Sequence, residues 1–278
     1  MKRILFVLSF FISTLCAESP LHTKVLHTQV RVQTTKAGGS GTVIYSEKVD
    51  EFFSTYIITC HHVIEDALRV EEKWDPLLGK PRKQEARQSV TVEFFNYGST
   101  PHGKPPLTSG TVADIVTYDV DHDMALLRLR LSQQAKVAKL LPPGKVTEVI
   151  VGSPTVAVGC ALLHDPVLTT GIITHLGDII EYKDYWMSNA QIIYGNSGGG
   201  MFFVDGGEYF FIGLPSRIAI TFGGQAITHM GYFSPITRVY DFFREQLFDF
   251  LIPGSTATEV SCKKARDEKK ALEERKLQ

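Results

Sequence analysis

The sequence predicts an all-β protein built as two six-stranded antiparallel β-barrels with one helix at the end, and three observations carry that expectation. From Val25 onward, short runs rich in β-branched and aromatic residues alternate with turn formers, the pattern of an all-β barrel or sandwich. About twelve such runs fall into two sets of six on either side of a polar segment, Leu131 to Val146, that ends in Pro142, Pro143 and Gly144. Helical spacing of apolar residues appears only after the last run, in Val239, Phe242, Phe243, Leu247 and Phe250.

The first set reads "VLHTQVRVQT", "GTVIYS", "TYIITC", "VTVEFF", "GTVADIVTY" and "MALLRLR", giving barrel one about 25–131. Two polar or Pro-rich insertions, "LRVEEKWDPLLGKPRKQEARQS" and "GSTPHGKPPLTS", interrupt its rhythm and are expected as surface loops. The second set reads "TVAVG", "VLTTGIITHL", "WMSNAQII", "GMFFV", "YFFIGL" and "QAITHMGYF", giving barrel two about 146–235. A helix about 236–250 closes the domain, and the charged tail 251–278 is expected as a solvated or disordered end.

Composition narrows the function. With 278 residues, 44% of them hydrophobic, the chain can bury one large core or two small ones. Its 29 basic and 30 acidic residues form no basic stripe, which argues against nucleic acid as a partner and against a polybasic membrane patch. Residues 1–17, "MKRILFVLSFFISTLCA", place Lys2 and Arg3 before an apolar run and a small residue at Ala17, the layout of a secretory signal peptide. That run is shorter than the ~20 residues a bilayer span needs, so no membrane span is expected once the signal is removed. The expected location is secreted or periplasmic. Cys60, Cys160 and Cys262 are odd in number and far apart, so they do not read as a disulfide framework, and Cys60 and Cys160 are expected as buried thiols.

The chemistry concentrates in "IIYGNSGGGMFF", Ile192 to Phe203, where Ser197 stands among glycines. The glycines could serve a simple turn. A serine hydroxyl attacks poorly at neutral pH unless a base takes its proton and a carboxylate orients that base. Gly195 to Gly199 also fits G-x-S-x-G, the nucleophile elbow, but that arrangement needs a helix directly after the serine and the order serine, acid, histidine. Three glycines there cost a helix roughly 1 kcal/mol each relative to alanine, and only His229 follows Ser197. The order histidine, aspartate, serine fits better. "YIITCHHVI" puts His62 just past an apolar run, and "YDVDHDMALLRL" puts Asp123 just before another, with Asp119 and Asp121 as rival acids.

These motifs resemble the trypsin-like serine proteases, and among them the HtrA (Deg) branch, over roughly Ala37 to Leu247. The resemblance rests on Thr59-Cys60-His61-His62-Val63, on Asp123-Met124-Ala125-Leu126 and on Gly-Asn-Ser-Gly-Gly at 195–199. "GGSGTVI" at Gly38 to Ile44, "TTGIIT" at Thr169 to Thr174 and "GYFSPI" at Gly231 to Ile236 support it. It implies a chymotrypsin-like fold and a serine endopeptidase with His62 as base, Asp123 as orienting acid and Ser197 as nucleophile. The amides of Gly195 and Ser197 would form the oxyanion hole, and His61 would be structural.

The same resemblance places a substrate pocket at Gln191, six residues before the nucleophile, with Ile192 and Leu214 beside it. No acid occurs between Tyr185 and Asp205, so Arg and Lys before the cut should be rejected and small or medium aliphatic residues preferred. Cleavage after Arg or Lys would require an acid reaching in from "EYKD", Glu181 to Asp184. The remaining histidines show no metal-ligand spacing, so no metal and no cofactor are expected. The partners implied are protein or peptide substrates, and an oligomer is compatible with the sequence. About 28 residues follow Phe250, which gives the expectation of a protease domain without PDZ. The loop that in the family reads Gly-Asn-Pro-Phe-Gly is here "GCALLHDP", Gly159 to Pro166. The competing function is a protease-fold binding or chaperone protein without turnover.

Overall fold

Among the described residues, runs of alternating or continuous apolar residues become twelve strands in two closed barrels, and a mostly polar stretch adds a two-stranded hairpin. The computed structural model describes residues 19–75, 79–97 and 106–276. The expected signal peptide and most of the second insertion lie outside these residues. A short helix α1 (Pro20–Lys24) leads into barrel one, formed by β1 (Gln29–Gln33), β2 (Gly38–Val49), β3 (Phe52–Thr59), β6 (Val90–Asn96), β7 (Leu107–Asp119) and β8 (Met124–Leu131) in the order β1-β2-β3-β8-β7-β6. A one-turn helix α2 (His61–Ile64) follows β3. Barrel two comprises β9 (Pro154–Gly159), β10 (Val167–Ile180), β11 (Lys183–Ser188), β12 (Gly200–Asp205), β13 (Glu208–Ile220) and β14 (Ala226–Pro235), in the order β10-β11-β14-β13-β12-β9. All barrel pairings are antiparallel. Closure removes the exposed edges that an open sheet would leave.

The first insertion is not an irregular loop. It forms a hairpin of β4 (Leu68–Asp75) and β5 (Lys80–Arg87), paired from Leu68↔Arg87 to Asp75↔Lys80. Its mostly polar sequence hides the strands from hydropathy reading, because beyond Leu68 at its base little of it packs on the core and the backbone groups satisfy one another. Trp74 is left 66% exposed on it.

The segment between the barrels also departs from a free linker. Ala138, Leu140 and Leu141 are buried, the Ala138 amide donates to the Val43 carbonyl at 2.8 Å, and the Leu141 amide donates to Phe211 at 3.1 Å. It therefore straps one barrel to the other. Apolar residues of both barrels form one continuous core, with Ile57, Ile58, Phe202, Phe211 and Phe233 almost fully buried.

Helix α3 (Ile236–Glu245) buries Val239, Phe242 and Phe243 as their spacing predicts. It stops short of the expected 250 because Leu247 turns left-handed, with φ +59°. The Phe248 amide then bonds back to Phe243 and the Leu247 amide to Arg244, a Schellman-type termination.

The tail carries a further helix, α4 (Glu259–Lys276). It is tied down at its start. The Glu259 carboxylate accepts from Ser54 Oγ at 3.0 Å and Tyr56 Oη at 2.7 Å and pairs with Arg128 at 3.0 Å. Arg266 lies over the Phe248 ring, 3.9 Å from its centroid. Glu259→Ala leaves the Arg128 guanidinium and two hydroxyls short of a partner, so it should destabilise the fold by about 1–3 kcal/mol. Urea denaturation checks this, and an unchanged midpoint would show that the clamp contributes nothing. Among the described residues no helix is long and apolar enough to cross a membrane.

Candidate active site

Strand β3 ends at Thr59, and the chain turns at once into α2, which carries His61 inward and His62 outward. His61 is 7% exposed and lies 5.2 Å from the Tyr118 ring, a packing role. His62 instead meets Asp123. Its backbone amide donates to Asp123 Oδ1 at 2.9 Å, and its ring Nδ1 lies 2.8 Å from Asp123 Oδ2.

Asp123 is placed by the turn between β7 and β8, where it takes a left-handed φ of +54°. The rival acids are spoken for or turned away. Asp119 receives both the amide and the ring Nδ1 of His122, at 3.0 and 2.6 Å, and Asp121 is exposed. Ser216 on β13 donates its hydroxyl to Asp123 Oδ2 at 2.7 Å. Burial alone would raise the Asp123 carboxyl, but the His62 ring, the His62 amide and the Ser216 hydroxyl outweigh it and hold the group below the usual range. Asp123 therefore stays ionised, and an ionised partner fixes the Nδ1 proton on the His62 ring.

Ser197 sits in the loop between β11 and β12 and opens on the same cleft as His62. The cleft, of about 420 Å³, is lined by both, by Ile192, Ile193, Tyr194 and Asn196, and by Pro215 to Ile218 with Ile220 on β13. Among the described residues no hydrogen bond joins His62 to Ser197, and such contacts commonly tighten only once substrate is bound.

The glycines of this loop have defined tasks. Gly195 takes φ +93°, and a Cβ there would lie 2.4 Å from the Cys160 carbonyl. Gly198 takes φ +80°, and its Cβ would meet Thr59 Oγ1 at 2.3 Å. Both positions need the bare residue. The amides of Asn196, Gly198 and Gly199 bond to the carbonyls of Ile193, Pro215 and Asn196. No backbone acceptor takes the amides of Gly195 and Ser197 among the described residues.

Ser40 braces this arrangement from barrel one. Its amide donates to Ser197 O at 2.9 Å, its hydroxyl donates to Gly195 O at 2.6 Å, and the same oxygen accepts from the Cys160 amide at 2.6 Å. In the sequence Ser40 is marked only as part of "GGSGTVI". Its role depends on chain segments 120 residues or more away.

The sequence matches the family described as "Trypsin-like peptidase domain" over residues 39–214. The chain belongs to the trypsin-like peptidases. Curated relatives of this peptidase include "Probable periplasmic serine endoprotease DegP-like" of Chlamydia muridarum, 26% identical over 173 residues, covering 61% of this chain and 27% of that one. "Putative protease Do-like 14" of Arabidopsis thaliana is 26% identical over 178 residues, covering 62% of this chain and 34% of that one. The matched part thus spans between about a quarter and a third of these relatives' lengths. In three dimensions, "HtrA-type protease AlgW with tripeptide" aligns with a TM-score of 0.56 at 20% identity, covering 83% of this chain and 63% of that one. "Crystal structure of Deg5" aligns with a TM-score of 0.53 at 21% identity, over 80% and 89%. These solved structures confirm the fold of the peptidase.

Two of the three expected pocket residues do not line the cleft. Gln191 is exposed, because Thr169 Oγ1 holds its carbonyl at 2.7 Å while the next amide, Ile192, bonds to Thr228 O at 3.1 Å. That pairing turns Ile192 inward and Gln191 out. Leu214 is fully buried and faces the barrel core opposite Ser234. The wall comes instead from Pro215, Ser216, Arg217 and Ile218, and the arginine was not anticipated. Cys60 Sγ lies within 4.8 Å of the His62 and Asp123 ligand atoms, where it donates to Pro215 O at 3.4 Å and burial raises its thiol well above the ordinary range.

Proposed function

We propose that this peptidase is a secreted serine endopeptidase that hydrolyses peptide bonds of protein substrates through an acyl-enzyme. One observation carries the reading: an oriented His62–Asp123 pair from barrel one opens on the same cleft as Ser197 of barrel two. In this reading His62 Nε2 takes the Ser197 proton as Oγ attacks the carbonyl carbon. The amides of Gly195 and Ser197 receive the negative charge that develops on the carbonyl oxygen. His62 returns the proton to the leaving amine, and water then hydrolyses the ester by the same steps in reverse order of partners.

Export is supported by the leader-like N-terminus and by a relative named as periplasmic. Peptide substrates are supported by the tripeptide in the AlgW complex. Ile192 and Ile193 in the cleft suit an aliphatic side chain before the cut, and no carboxylate among the described lining residues would pair with Arg or Lys there. A fluorophosphonate probe tests the reading, and it should label the full-length protein on the peptide carrying Ser197. Absence of label, with casein left intact, would overturn it in favour of a protease-fold binding protein.

A further inference from the structure

The cleft wall carries a fixed positive charge that the proposed chemistry does not use. Among the described residues lining the cleft, Arg217 is the one lysine or arginine, and no carboxylate stands among them. Its guanidinium Nη2 pairs with Glu181 Oε2 at 2.6 Å and lies over the Tyr185 ring, 5.6 Å from the centroid. Glu181 reaches it from the tip of the β10–β11 hairpin, between Ile180 and its partner Lys183. This is the "EYKD" segment, and its acid arrives at the cleft wall but is spent on Arg217.

The turn that presents Glu181 is strained. Glu181 and Tyr182 both take left-handed backbone, with φ of +51° and +64°, a conformation in which an L side chain crowds its own backbone and which such two-residue turns usually give to Gly, Asn or Asp. Tyr182 is 99% exposed, so packing of its ring does not explain the strain. What the turn achieves is to hold a carboxylate against Arg217. That contact is two-thirds exposed on the Glu181 side, with relative side-chain exposures of 34% for Arg217 and 66% for Glu181. A substrate carboxylate lying in the cleft could therefore take the place of Glu181.

Position along the wall sets which substrate residue is read. Ser216 touches the Asp123 of the triad, and Arg217, Ile218 and Ile220 lead on from it along β13. Arg217 thus meets a side chain near the cut bond but not the one at the reacting carbonyl. Resting on the protease reading above, we infer that Arg217 is a specificity-determining residue that selects substrates with an aspartate or glutamate within a few residues of the cleaved bond. Glu181 is its internal competitor, an acid that occupies the guanidinium until a substrate acid replaces it. A neutral or basic peptide leaves the Glu181 pair in place and gains nothing from it.

The test is a panel of peptides with one common cut site, each carrying Glu or Gln at a single flanking position, with kcat/KM taken as the Glu-to-Gln ratio. The wild type should favour Glu by about fivefold at one position at low salt, and the preference should shrink as ionic strength rises. Arg217→Gln should bring that ratio to about one. Glu181→Gln removes the competitor and keeps the guanidinium, so its ratio should exceed the wild-type value. This second variant also decides the matter if Arg217→Gln does not fold. A wild type that is labelled at Ser197 and cuts the Gln peptides without any preference overturns the inference and leaves the protease reading standing. The same holds for an Arg217→Gln enzyme that keeps the preference, or a Glu181→Gln enzyme whose ratio does not rise. A wild type that neither labels nor cuts overturns both.

Discussion

Ser197→Ala is expected to lower kcat on a casein-type substrate by about 10⁶, the scale of loss when a triad nucleophile is removed. Ser216 and Tyr194 also bring hydroxyls to the cleft, but Ser216 is held on Asp123 Oδ2, and neither stands in the Gly-Asn-Ser-Gly-Gly turn whose free amides would receive the oxyanion. Cys60 cannot substitute, since it is fully buried and burial keeps its thiol protonated. The fold should survive. Ser197 is part-exposed, and the loop is held by the Ser197 carbonyl and by Ser40, Asn196 and the glycines rather than by the hydroxyl. Unfolding curves should therefore overlay those of the wild type while turnover disappears. Cleavage retained at the same rate by a variant of verified sequence would remove Ser197 from the chemistry.

Asp123→Asn should cost about 10⁴ in kcat with little change in geometry. An asparagine offers an NH₂ group where the carboxylate accepted the Nδ1 proton, so His62 is driven to the tautomer with its proton on Nε2, the wrong atom to accept from Ser197. The same substitution changes stability with pH in a defined direction. The Asp123 carboxyl lies below its unfolded value of 3.8, because His62 and Ser216 together outweigh the effect of burial. A carboxyl lowered on folding contributes stability that is fully present above the unfolded value and is lost as pH falls through the folded one. The gap in stability between wild type and Asp123→Asn should thus be full at neutral pH and shrink progressively as pH falls below about 3.8 toward the lower folded value. Chemical denaturation at pH 7 and over a series descending from about pH 4 follows it, and a gap that widens as pH falls below 3.8 would contradict the assignment of Asp123 as the ionised partner of His62.

Much of this was legible because it is local. The continuous buried run "TYIITC" and the apolar run "MALLRLR" mark β3 and β8 from their own residues, since a strand buried on one or both faces must show that pattern wherever it lies in the chain. The glycines around Ser197 likewise announce a backbone that only glycine tolerates, and Gly195 and Gly198 adopt positive φ. Order along the chain also offered His62 a partner among Asp119, Asp121 and Asp123. The hairpin β4–β5 stayed hidden for the complementary reason: most of its residues are charged or polar, its apolar Val70 and Trp74 are exposed, and its strands are defined by pairing with each other.

By itself, then, the sequence determined the two barrels and the helix after them, and it named His62, Ser197 and a choice of three aspartates for the proposed chemistry. Only the tertiary structure decided which aspartate His62 meets, because Asp119 and Asp123 are four residues apart and differ chiefly in their turn geometry and partners. It also decided the cleft wall. Counting back six residues from Ser197 reaches Gln191, but Thr169 and Thr228 pin that stretch so that Ile192 faces inward instead. The Arg217–Glu181 pair joins residues 36 apart across two different strand connections, and nothing in either local sequence marks it. Side chains that meet across a closed barrel are brought together by register and curvature, and those are properties of the assembled sheet rather than of any short segment.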